Sequence, residues 1–217
     1  MDAPKLVNIE QVCDGWVKKH LLTYEMPDGS LYQYHCATRR DADAYRAGLE
    51  RNAQTSAVAM EAIRNGEQPP AAPEFTPDAV CIAARTPRDT LVMIREFRYP
   101  LNSWCVAFPA GLVDAGESII ACADRELREE TGYSLVPGTT PRALPQPGYS
   151  STGLTDETVH VVFMEAEKAE EAHTEGNELI EVFELPIAGI RTFLDNNTLP
   201  IGTRAQLILE IFAAQQA

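Results

Sequence analysis

Basic charge is what this chain most lacks: 18 lysines and arginines stand against 32 aspartates and glutamates, a formal charge of −14 at pH 7. Long-range attraction to nucleic acid or to an anionic membrane surface is therefore not expected. Paired cysteine is missing as well. Cys13, Cys36, Cys81, Cys105 and Cys122 are odd in number, scattered, and form no C-x-x-C, which argues against a disulfide framework and against a zinc site. A reducing cytoplasm suits such a composition. No apolar run approaches the ~18 residues of a membrane span, and residues 1–16 lack the basic start and apolar core of an export signal. The expectation is a soluble, unexported protein. The four histidines, His20, His35, His160 and His173, show no ligand spacing with one another.

What remains is enough for a core, since 45% of the 217 residues are apolar, and one substantial domain with a smaller appendage is the natural size. Residues 16–25 and 31–37 read as two strands joined by a turn at Pro27-Asp28-Gly29. Residues 41–64 read as a helix broken at Asn65-Gly66, and 67–77, with four prolines, as a linker. An amino-terminal region of 1–77 and a main domain of 78–217 follow. In the main domain, 80–85, 91–97, 104–108, 158–165 and 180–185 are β-rich, while 187–194 and 204–215 are helical. Strands and helices interleave, so the fold class is α/β, a mixed sheet covered on both faces.

The most informative stretch is 111–133, GLVDAGESIIACADRELREETGY. Placed on a helix at ~100° per residue, 119–130 puts Ile120, Ala123 and Leu127 on one apolar stripe, with Glu126 and Glu130 on its flank, where burial begins. An unpaired carboxylate there must find a cation or take up a proton. Spacing of three and four residues lets Glu126, Glu129 and Glu130 converge their oxygens, which suits a hard divalent ion such as Mg²⁺, with Mn²⁺ as a substitute. Ser118 fits the N-cap and Gly132 a left-handed stop. A short acidic run alone more often marks a solvated helix face, but this one is framed by Glu117, Arg125 and two glycines.

These positions meet every fixed element of G-x5-E-x7-R-E-U-x-E-E-x-G-U, and the chain thereby resembles the Nudix superfamily. The resemblance implies an α/β/α sandwich and hydrolysis of a nucleoside diphosphate linked to another moiety. Arg95-Glu96-Phe97-Arg98-Tyr99-Pro100, Phe108-Pro109-Ala110-Gly111, and Pro147 fifteen positions after Gly132 look like the ADP-ribose pyrophosphatase branch. That likeness implies a homodimer in which the amino-terminal β-hairpin is exchanged and helps to build the neighbour's pocket. It implies metal held by Glu126, Glu130, the supporting Glu129 and the carbonyl of Ala110, with Glu117 and Arg125 orienting the acids. Glu178 matches the glutamate of the catalytic loop, with Glu175 as the alternative. Trp16 and Tyr34 match the aromatics that sandwich adenine, and hairpin core packing is the competing role for both. Arg39 and Arg98 match the arginines of phosphate and terminal ribose, with surface ion pairing as the competing role.

The helix at 41–64 and a tyrosine at position 34, where the branch has tryptophan, depart from the pattern. Hydrolysis of ADP-ribose to AMP and ribose 5-phosphate is the activity that the resemblance implies first. A UDP-sugar or other nucleotide-sugar pyrophosphatase is the alternative, and a Nudix module that binds ADP-ribose without cleaving it is the alternative of another class. Cys105 and Cys122 read as buried small residues, and His160 as packed within its strand.

Overall fold

The computed structural model describes residues 3–71, 75–174, 176 and 178–216, arranged as two compact units. The first unit comprises Met1–Thr76 together with the distant segment Tyr149–Glu157. It is a meander of β1 (Lys5–Cys13), β2 (Lys18–Glu25) and β3 (Leu31–Thr38), followed by α1 (Ala42–Arg64). The turn between β2 and β3 forms where expected, with Asp28 accepting from the Ser30 amide at 2.9 Å and Gly29 at φ 80°. The expected hairpin thus gains a strand, β1, antiparallel to β2.

Alternation along β2 and β3 turns Leu22 and Cys36 inward against Tyr45 of α1, with Leu6, Ile9, Tyr24 and Leu49 packed around them. Asp41 caps α1 by accepting from the Ala44 amide, worth about 1 kcal/mol. Only Tyr45 and Ala62 of this 23-residue helix are buried. The segment Tyr149–Glu157 lies along β3: the Ala37 amide donates to the Leu154 carbonyl, and Arg39 and Arg40 pair with Glu157 and Asp156.

The second unit, Pro77–Gly148 with Thr158–Ala217, carries β4 (Ala79–Arg85), β5 (Thr90–Arg98), β6 (Ser103–Ala107), β7 (Ala110–Leu112), α2 (Ile119–Thr131) and β8 (Tyr133–Leu135). After them come β9 (Arg142–Ala143), β10 (Gly148–Tyr149), β11 (Thr158–Lys168), β12 (Ile180–Pro186), α3 (Ile190–Asn196) and α4 (Thr203–Ala214). The main path of the sheet is β10-β11-β4-β5-β12. β11 and β4 run parallel while β5 pairs antiparallel with β12 and β6, so the sheet is mixed.

Strand alternation divides the core. Val80, Ile82, Ala84 and Val92 pack with Cys122, Ala123 and Leu127 of α2. Their neighbours Cys81, Ala83, Leu91 and Met93 pack on the other face with Ile190, Ala205, Ile208 and Leu209 of the carboxy-terminal helices. Each such Leu or Ile contributes roughly 1.5–3 kcal/mol on burial. The result is the expected α/β/α sandwich. No helix among the described residues is long and apolar enough to cross a membrane.

Candidate metal and phosphate site

The helix that carries the acidic residues is fixed at both ends. Ser118 accepts from the Ala121 amide at its start, and Gly132 stops it at φ 71°. Gly132 is needed for a second reason: a Cβ there would meet the carbonyl oxygen of Glu170 at 2.1 Å. The chain beyond β11 closes on this helix end, the amides of Ala169 and Glu170 donating to the Gly132 carbonyl and that of His173 to the Glu129 carbonyl.

Because Cys122, Ala123 and Leu127 face the sheet, the next turn carries Glu130 inside with them. Glu130 is only 6% exposed. Its Oε2 accepts from the Ala110 amide of β7 at 3.1 Å. Burial drives its carboxyl up to about 9, the Ala110 N–H pulls the other way, and the charges of Glu126, Glu96 and Glu178 push it higher. Glu126 is half-buried, and its carboxyl lies so close to Gly111 that a Cβ there would sit 1.9 Å from Cδ. Burial raises Glu126 too, against the opposing hydrogen bond from Arg125.

Arg125 organises the remaining acids. Its Nε and Nη2 reach Glu117 at 3.0 and 2.9 Å as a bidentate fork, while Nη1 donates to Glu126 at 2.8 Å and Glu129 at 3.1 Å. Nη2 also donates to the Leu112 carbonyl, tying the helix to β7. The guanidinium holds Glu117 down at about 2. One cation therefore serves three glutamates, and Glu130 is left in a field of its own sign.

The donor set fits a hard divalent ion by its chemistry, all carboxylate oxygen with one member buried among other acids. As they stand, no three His, Cys, Asp or Glu side chains among the described residues surround a common point. Glu126 and Glu129 are turned to Arg125 instead.

One acid was missed in the sequence, Glu96. It shares the β5 face of Val92, which packs against α2, and strand parity could have placed it there. Its Oε2 pairs with Arg98 at 2.7 Å, and its charge bears on Glu130. Glu178 precedes β12, and the hydrogen bond from the Phe97 amide to the Leu179 carbonyl holds the adjoining residue beside β5. Its charge reaches Glu96, Glu126 and Glu130. Glu175 lies outside the described residues.

Trp16, Tyr34 and Arg39 belong to the first unit. Trp16, ahead of β2, is 74% exposed, and Tyr34 on β3 donates its hydroxyl to the Gly153 carbonyl at 2.6 Å. No ring contact joins the two among the described residues; Tyr34 lies instead 6.3 Å from Tyr32. Arg39 is ion-paired with Glu157 at 2.6 Å. His160 is buried, its Nε2 2.6 Å from the Leu144 carbonyl oxygen. Cys105 and Cys122 are buried, and burial pushes the Cys122 thiol up to about 12, far from a nucleophilic thiolate.

The sandwich with this acid-bearing helix is the arrangement of a known family, and residues 75–200 match the model of the NUDIX domain. The chain belongs to the Nudix family. It is 39% identical over 101 residues to the ADP-ribose pyrophosphatase of Saccharomyces cerevisiae, covering 46% of this chain and 44% of that protein. It is 36% identical over 113 residues to the ADP-ribose pyrophosphatase of Bacillus subtilis, covering 51% of this chain and 59% of that protein. The chain thus spans about half the length of the curated relatives it matches. A solved structure, the crystal structure of an ADP compounds hydrolase, superposes with a TM-score of 0.68 at 18% identity over 100% of this chain and 95% of that one, which shows the fold.

Proposed function

We propose that this protein hydrolyses the diphosphate bond of ADP-ribose to give AMP and ribose 5-phosphate. The observation that carries the reading is Glu130, a buried carboxylate among other acids that must take up a proton or a cation. Membership of the Nudix family and the likeness to two ADP-ribose pyrophosphatases support it. Glu126 and Glu130 would hold Mg²⁺, or Mn²⁺ in its place, aided by Glu129 and the Ala110 carbonyl. When bound, the ion offsets the charge of the diphosphate and makes an attacking water more acidic.

The side chains do the rest. Glu178 accepts the proton of the attacking water, a role that needs hydrogen-bond reach in the closed complex. Arg125 keeps the acids oriented, and Glu117 keeps Arg125 in place. Arg98 and Arg39 hold the phosphate and the terminal ribose, exchanging their present carboxylate partners for substrate. Trp16 and Tyr34 stack on adenine, worth roughly 1–3 kcal/mol per base. The region 1–77 serves as a dimerisation element that contributes to the partner subunit's pocket, and the five free thiols suit the cytoplasm.

Side-by-side rates on ADP-ribose and UDP-glucose with Mg²⁺, with product identification, test the reading. AMP and ribose 5-phosphate should appear, faster than any product from UDP-glucose, and EDTA should stop both reactions. Tight binding of ADP-ribose with no turnover in Mg²⁺ or Mn²⁺ would replace the enzyme by a binding module.

A further inference from the structure

The amino-terminal unit holds a buried ionisable group that takes no part in the chemistry above. His20, the third residue of β2, has 0% exposure, and neither Nδ1 nor Nε2 has a hydrogen-bond partner among the described residues. By register it stands opposite Gln11 of β1 and Cys36 of β3. The Tyr45 ring of α1 lies across it at 5.3 Å, tilted by 58°. The polar groups of these two neighbours are engaged elsewhere: the Tyr45 hydroxyl donates to Cys36 Sγ at 3.1 Å, and that thiol reaches the His20 carbonyl oxygen at 3.8 Å.

Charge around the ring is mixed. Lys18 on the same strand opposes protonation; Asp156 and Asp41 favour it. Both acids have other duties, Asp156 in its ion pair with Arg40 and Asp41 in capping α1. Burial outweighs them, and the imidazole sits below its ordinary range.

We propose that His20 is an acid-released latch for helix α1. Neutral, the ring packs under Tyr45 as an aromatic; an imidazolium has two N–H donors that need acceptors, and among the described residues neither ring nitrogen has one in the closed form, so the charged ring must reach water. Tyr45 then has to leave its place. Tyr45 is the one fully buried residue that α1 places in this core cluster, with Leu49 partly buried beside it, so its displacement loosens the helix from the sheet.

The sign follows from linkage. A histidine whose folded pKa lies below its unfolded value of ~6.5 stabilises the closed form fully above that pH, and the gain is lost as pH falls below it. Each further pH unit multiplies the open fraction by up to about tenfold, until the folded pKa is reached.

Hydrogen exchange of the full chain at pH 7.5 and 5.5, corrected for the intrinsic chemical rate, reads the opening directly. The open fraction of α1 should rise by up to about tenfold at pH 5.5 while that of β4 and β5 stays level. His20→Phe, which keeps the aromatic and removes the proton, should abolish the rise. An α1 signal indifferent to pH in the wild type, or an unchanged acid response in His20→Phe, overturns the latch. Should that variant not fold, the imidazole resonance of wild-type His20 decides: titration at or above ~6.5 with α1 still protected refutes the proposal, and a silent resonance until α1 opens supports it. None of these readings depends on turnover, so they stand apart from the hydrolase assignment.

Discussion

His20 in the meander and Glu130 in the sandwich are both buried ionisable side chains, yet their surroundings differ in kind. Around His20 are a thiol, a phenol and a few balanced charges, so the neutral form suffices and folding needs no further partner. Around Glu130 are Glu126, Glu96 and Glu178, charges of its own sign, opposed by the hydrogen bond that the Ala110 amide donates. A neutral histidine is a packing element with a pH limit, whereas a carboxylate held among carboxylates is a demand for a cation. The lesson is that burial alone does not mark a functional site; burial against a field of like charge does.

The strongest way to break that contrast is Glu130→Gln. Turnover should fall on the order of a thousandfold, because several kcal/mol of charge stabilisation is lost with the ligand. The same variant, studied in EDTA at pH 8, should melt no lower than the wild type, since an uncharged amide replaces an acid that is costly to ionise. Near-normal turnover, or a sharp fall in melting temperature, would put Glu130 in the same class as His20.

Next in size is Arg125→Ala. It removes the hub that holds Glu117, Glu126 and Glu129, and divalent-cation affinity measured by titration calorimetry should weaken by about 10- to 100-fold. Unchanged affinity would mean that the acids need no orientation.

The smallest effect is a pair of opposed slopes in the cation-free protein. Glu130, raised to about 9, contributes stability that is present below ~4.5 and lost as pH rises through 9. Glu117, lowered to about 2, contributes stability that is present above ~4.5 and lost as pH falls through 2. Denaturant midpoints across pH should show both slopes, and saturating Mg²⁺ should flatten the alkaline one alone.

The acid-bearing helix was legible in the sequence because its cap, stop and apolar stripe agree with one another at Ser118, Gly132 and Leu127. Most sandwich strands were legible for a similar reason, as at Val80 to Ala84, where every residue is buried and apolar. β1 was not. It buries little beyond Leu6 and Ile9, and its register slips between Leu6 and Asn8 and again between Gln11 and Cys13, so no period survives. Glu96 was hidden in the stretch from Arg95 to Pro100, which read as a family likeness with a role for Arg98 alone and drew attention from strand parity. The ion pair of Arg39 joins it to Glu157, far along the chain, and nothing local in a sequence announces such a partner; Arg98 pairs with Glu96, two residues away, where strand parity puts both on one face.

The membership of Tyr149–Glu157 in the amino-terminal unit has a consequence for how the protein is made. A ribosome releases the meander and α1 early, yet Tyr34, Arg39 and Arg40 have no docking strip until residue 157 has left the exit tunnel. A segment made before the sandwich is therefore completed only after much of the sandwich has been made, and a fragment ending at the proline linker would be a half-built piece, not a smaller protein.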